Sequence, residues 1–215
     1  VTRAVALIEE ALVRLPAKAS APMRLRFLAT QTHILNGASA LEEAIRVGHE
    51  ALTLADTRGE AWRRAEVRSE LAYNYSQAKQ DQRALSLNEE ALALAREAGD
   101  PLTLAHASTV QAIILDGQGD LQGGRRWLQD ALDHAREAGA KNEEALYLAN
   151  FADGYLKNGE YAVALRFAQQ ALPLTRELKN LNAETVALAN IGLAQIALGD
   201  LDAGKRNLRA SIDID

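Results

Sequence analysis

Apolar residues recur at helical spacing along the whole chain, as in Leu71, Ala72 and Tyr75, in Phe151, Ala152 and Tyr155, and in Ile191 and Gly192. The pattern itself repeats every 40 residues. An Ala-Leu pair returns at Ala11-Leu12, Ala51-Leu52, Ala91-Leu92, Ala131-Leu132 and Ala171-Leu172, with Ser211-Ile212 as a degenerate sixth. Seven residues before each pair stands a small residue: Ala4, Ala44, Ala84, Gly124, Ala164 and Gly204. Small side chains seven apart on one helix face let a neighbouring helix come close.

Turn residues interrupt the periodic stretches at two places in each unit. One set is Asn36-Gly37, Gly117-Gln118-Gly119-Asp120, Asn158-Gly159-Glu160 and Gly199-Asp200; the other is Gly59, Gly99, Gly139 and Lys179-Asn180. Gly99-Asp100-Pro101 combines a C-cap, an N-cap and a first-turn proline in three residues. Each unit is therefore a helix pair. The breaks predict eleven helices over 2–15, 21–36, 40–57, 60–78, 81–98, 101–117, 120–138, 141–158, 160–178, 182–198 and 200–215. Pro173 falls inside the ninth and is expected to kink it near Gln169, whose carbonyl loses its partner.

Leu71, Ala72, Tyr75, Ala84 and Ala91 in one unit, with Phe151, Ala152, Tyr155, Ala164 and Ala171 in another, follow a Leu-small-x₂-Tyr, small-x₆-Ala order. In this the chain resembles the tetratricopeptide repeat family. The family's usual period is about 34 residues, so each pair here gains about 1.7 helical turns. That length is similar to the long-helix variant of kinesin light chains, Pins-type adaptors and bacterial regulators of the MalT and Rap kinds. HEAT and armadillo repeats share the period but do not call for the small-residue order. A large residue is usual in the family's fourth column, where Gly48, Asn88, Leu128, Ala168 and Leu208 stand; the usual closing proline is replaced by Asp56, Arg96, Arg136 and Arg176. The resemblance implies an all-α, right-handed α-α superhelix, a solenoid of about five helix-turn-helix repeats over 1–215.

A repeat pair cannot bury its apolar face alone, so the units must stack, and the stack has a concave wall. In the family the first helix of each pair lines that wall. The carry-over gives Arg26, His33 and Asn36, then Glu66, Ser69, Tyr73 and Ser76, then His106, Thr109 and Asp116. The later units supply Asn150, Asp153 and Lys157, then Val186, Asn190, Leu193 and Ile196. Asn150 and Asn190 share one column, each preceded by Leu-Ala, and an amide can both donate to and accept from a peptide backbone. The alternative is that both amides only bridge helices.

Composition narrows the function. The formal charge is −5, and Lys and Arg are scattered among Asp and Glu, which disfavours nucleic acid as a partner. Cysteine is absent, no apolar run approaches the roughly 18 residues of a spanning helix, and the default location is the cytoplasm. His33, His49, His106 and His134 lack ligand spacing, so no metal or other cofactor is expected. Gly117, Gly119 and Gly123 join helices and form no dinucleotide fingerprint. No nucleophile, base and orienting group share a register, so no catalysis is expected.

These readings converge on a protein-interaction scaffold that takes a protein or peptide on its concave face. Two rivals stand beside it: a ligand-sensing segment of a multidomain regulator, and a self-association module. Leu201, Leu208 and Ile212 lie on one face of the last helix, which suggests a homodimer through open repeat ends or further helices in a longer protein.

Overall fold

The computed structural model describes residues 6–7, 10, 13–14, 21–37 and 40–214. Among them run ten helices and no strand: α1 Ala21–Gly37, α2 Leu41–Arg58, α3 Ala61–Gln77, α4 Asp81–Ala98, α5 Pro101–Gly117, α6 Leu121–Glu137, α7 Lys141–Lys157, α8 Tyr161–Glu177, α9 Leu181–Ala197 and α10 Leu201–Ile212. These ends fall within one residue of the predicted ones, except that the last helix stops at Ile212 rather than at 215. Of the expected first helix, 2–15, the described residues are helical; the rest, with Ala4 and Ala11-Leu12, lies outside the described residues.

The breaks are uniform because one backbone device makes most of them. Residues at intervals of twenty, Lys79, Gly99, Gly119, Gly139, Gly159, Lys179 and Gly199, adopt positive φ. After six of these turns the next N–H reaches five residues back, as in Gln80 N to Tyr75 O at 2.8 Å and Asp200 N to Gln195 O at 2.9 Å. This closes the preceding helix in the manner of a Schellman motif. The following helix is then capped at its start: Asp100, Asn180 and Asp200 side chains accept from the N–H of Thr103, Ala183 and Ala203. Gly59 departs from the scheme, with extended backbone.

Two compact units form, Val1–Trp127 and Leu128–Asp215. In the first, α3 packs on α2, α4 and α5, around Leu71, Ala72, Tyr75, Ala84, Val110 and Ile114. In the second, α8 packs on α7 and α9, and α9 on α10. There Phe151, Tyr155 and Phe167 stack, with Phe151 and Phe167 ring centres 4.6 Å apart.

The small column serves as expected. Ala44, Ala84 and Ala164 are fully buried. A Cβ on Gly204 would lie 2.7 Å from the Gly192 carbonyl oxygen, so α9 and α10 meet backbone to backbone at two glycines. The column that departs from the family is filled by other means. Leu71 occupies the space beside Gly48, where a Cβ would come within 2.8 Å of its Cδ1. Asn88 is wholly buried and fully engaged: it accepts from Ser69 Oγ at 3.2 Å and donates to Ala107 O at 2.9 Å and to Gln111 Oε1 at 2.8 Å.

Pro173 does not interrupt α8, which runs unbroken from Tyr161 to Glu177. Both Pro173 and Gln169 are on the exposed side, where water can replace the missing N–H. No described helix is long and apolar enough to cross a membrane.

Candidate functional site

Two columns of the 40-residue pattern supply the surface of the first helix of each pair. One contains Arg26, Glu66, His106, Leu146 and Val186, and the other, one helical turn later, Thr30, Glu70, Val110, Asn150 and Asn190. In the 128–215 unit they border a groove of ≈ 600 Å³ running between α7 and α9. Leu146 and Val186 are 55% and 47% exposed on it. Asn150 is exposed at its edge, while Asn190 is only 7% exposed. The Asn190 Nδ2 is buried and has no hydrogen-bond partner among the described residues. The amide pair of one column therefore lines one groove.

Asp153 also lines this groove, but its carboxylate is paired with Lys157 at 2.5 Å one turn along α7, and both are well exposed. The two charges offset one another, and Glu143 adds a second carboxylate to the groove lining. Leu193, 50% exposed, lies one turn beyond Asn190 on α9.

In the 1–127 unit the same columns carry charge. His106 Nε2 lies 3.2 Å from Glu70 Oε1, joining α5 to α3. Burial works against the charged imidazole, yet the hydrogen bond to Glu70 and the charges of Glu70 and Glu66 hold His106 above its ordinary value of 6.5. Burial pushes the Glu66 carboxyl up; His106 and Arg63 pull against this, while Glu70 and Asp100 add to it.

The other predicted wall residues of this unit are engaged internally. Tyr73 is half-buried against the α3 core cluster. Ser76 is 5% exposed and so is not presented on a surface. Thr109 donates its hydroxyl to Ala105 O at 2.9 Å within its own helix. Asp116 is exposed, and its Oδ1 fills the space a Cβ on Gly124 would need; burial raises its carboxyl, with Arg125 opposing and Asp120 reinforcing. Asn36 donates to Asn74 Oδ1 at 2.7 Å and is a helix bridge. The side chain of His33 lies outside the described residues.

Leu146 and Glu70 are the wall residues that the carry-over missed. Both stand in columns it had already used, Leu146 in that of His106 and Val186 and Glu70 in that of Asn150 and Asn190. Reading each column to its end would have found them. Among the described residues no group of three His, Asp or Glu side chains is placed to hold a metal ion.

No family model matches the sequence. No curated protein matches it either. Solved structures do. BtubC (BKLC) from P. vanneervenii is 16% identical with a TM-score of 0.76, over 99% of this chain and 87% of its own. A Podosopora anserina kinesin light chain with nearly identical TPR-like repeats is 17% identical with a TM-score of 0.67, over 90% of this chain and 95% of its own. The apo quorum sensor NprR from B. thuringiensis is 17% identical with a TM-score of 0.73, over 99% of this chain and 60% of its own. NprR in complex with its cognate peptide NprX superposes at 0.63 with the same identity, over 99% and 62%. At such identities the likeness is one of fold. The fold is all-α, of the tetratricopeptide-like helical-repeat class.

Proposed function

We propose that this chain is a protein-interaction module without catalysis of its own, and that it holds a peptide or a peptide-like segment of a protein in the α7–α9 groove. The observation that carries this reading is the groove itself, walled by exposed Leu146 and Val186 with the Asn150 and Asn190 amides in its lining. A peptide brings carbonyl oxygens for such a donor and side chains for such walls. NprR, of like fold, is known in complex with a cognate peptide, which supports the same reading. It also favours a second one, in which the module is the sensing segment of a longer regulator.

The test is panning of a random peptide library on the full chain, followed by titration of the enriched peptides. Asn150→Ala with Asn190→Ala should weaken capture by about 1–3 kcal/mol while leaving the helical signal intact. Alanine at Arg136 or Arg176, which face away in ion pairs with Glu144 and Glu184, should leave capture unchanged. If those outward changes abolish binding while the double amide variant binds normally, the groove is not the site.

A further inference from the structure

A second cavity lies in the other unit and has a different chemistry. It is a pocket of ≈ 120 Å³ among α1, α2 and α3. Leu25, Ala29, Ala51 and Val67 make its apolar lining, and Arg26 and Glu66 stand on it from α1 and α3. An apolar cavity of about 150 Å³ admits a benzene ring, so this one has room for a single aliphatic side chain and little more. It is too small for a stretch of peptide.

The charges around it are of both signs, and not all are taken up among the described residues. Glu70, also on the pocket, has His106 at 3.2 Å. The Arg63 guanidinium lies over the Trp62 ring at 4.2 Å and reaches Glu66 only at 4.0 Å. Among the described residues no carboxylate pairs with Arg26. Among the described residues the rim therefore offers a guanidinium with no carboxylate partner on one helix and a loosely paired carboxylate on another, over a lining for one apolar side chain. A partner of a single charge would meet repulsion from one of them. A zwitterion meets attraction from both.

We infer that this pocket binds a free aliphatic α-amino acid, with the side chain among Leu25, Ala29, Ala51 and Val67, the carboxylate on Arg26 and the ammonium on Glu66. This site stands apart from the α7–α9 groove, and either reading can fail without the other.

Calorimetric titration of the full chain with L-leucine tests it, with glycine, N-acetyl-leucine and leucinamide as probes that lack the side chain, the ammonium and the carboxylate. The expected result is binding of leucine and a loss of about tenfold or more for each of the three probes. Arg26→Ala and Glu66→Gln should weaken leucine by a similar factor, and Ala29→Phe, which fills the cavity, should abolish it. Each variant is to be checked for an unchanged melt, and the titration repeated with Glu66→Asp should any of them lose its fold. No binding of leucine, equal binding of the capped probes, or binding that survives Ala29→Phe would each overturn the site. Binding of a leucine-ended peptide but not of leucine would overturn it as well, since the occupant would then be a chain end.

Discussion

Lys79 and Lys179 hold φ of 58° and 53°, a left-handed conformation that the equivalent turns give to glycine. A side chain there meets the following carbonyl, so Lys79→Gly and Lys179→Gly should each raise stability by about 1 kcal/mol in denaturant melts. A fall in stability would mean that the lysine side chains make contacts that outweigh the strain. Ala84 and Ala164 pose the opposite case. Both are fully buried where helices touch, so leucine at either should cost about 1–3 kcal/mol, whereas leucine at exposed Arg96 should stay within about 0.5. Ala84 and Ala164 were legible in the sequence because their role is local and repeats, whereas the turn at Lys79 carries no glycine to mark it. Asn88 was not legible either. It stands in the column where a large residue was expected, and its use depends on Ser69 and Gln111 meeting it from α3 and α5, which no period reveals.

The helix pairs lack the closing proline, and ion pairs between consecutive helices stand in its place. Arg136 reaches Glu144 at 2.7 Å, Arg176 reaches Glu184 at 2.7 Å, and Asp56 meets Arg64 at 3.5 Å with the signs reversed, each eight residues on. Arg96 has Leu104 at that distance and no such pair. The substitution of charge for proline was visible in the sequence, but its purpose was not, since the partner lies across a turn in the next helix. Asp56 carries a further load. Arg68, 8% exposed, donates to both Asp56 oxygens at 2.8 and 3.1 Å and to Glu90 at 3.0 Å, tying α3 to α2 and α4. The hydrogen bonds from Arg68 hold Asp56 below its ordinary value of 3.8 despite partial burial. Arg68→Ala should therefore cost about 1.5–3 kcal/mol in a urea melt near neutral pH. Glu144→Gln or Glu184→Gln, at partly exposed pairs, should cost less than about 1 kcal/mol and lose that effect in high salt. Arg68→Ala matching Glu144→Gln would show that burial of the guanidinium adds nothing.

Across the whole molecule, one column changes from Arg26, Glu66 and His106 to Leu146 and Val186, so the two units present surfaces of different chemistry built on the same repeat. That change of chemistry along the column was readable from the sequence. Which wall residues are free was not, because Ser69 and Asn36 find partners only in three dimensions. The charged unit should also give the chain a pH response. His106 on α5 faces Glu70 and Glu66 on α3, and Glu66 in turn feels Arg63 and Asp100. Its folded-state pKa is raised, so folding favours the protonated ring. That contribution is complete below 6.5 and is lost as pH climbs through the raised value. The raised carboxyls of Glu66 and Asp116 act in the same direction, starting from 4.5 and 3.8, nearer acid. Between pH 6 and 8, then, the histidine is the group to watch. Denaturant melts should show the chain more stable at pH 6 than at pH 8 by less than about 1 kcal/mol, since the pair is partly open to solvent. His106→Asn and Glu70→Gln should each shrink that difference. If the two variants keep the full difference, the response comes from elsewhere and the His106–Glu70 contact does not couple α5 to α3.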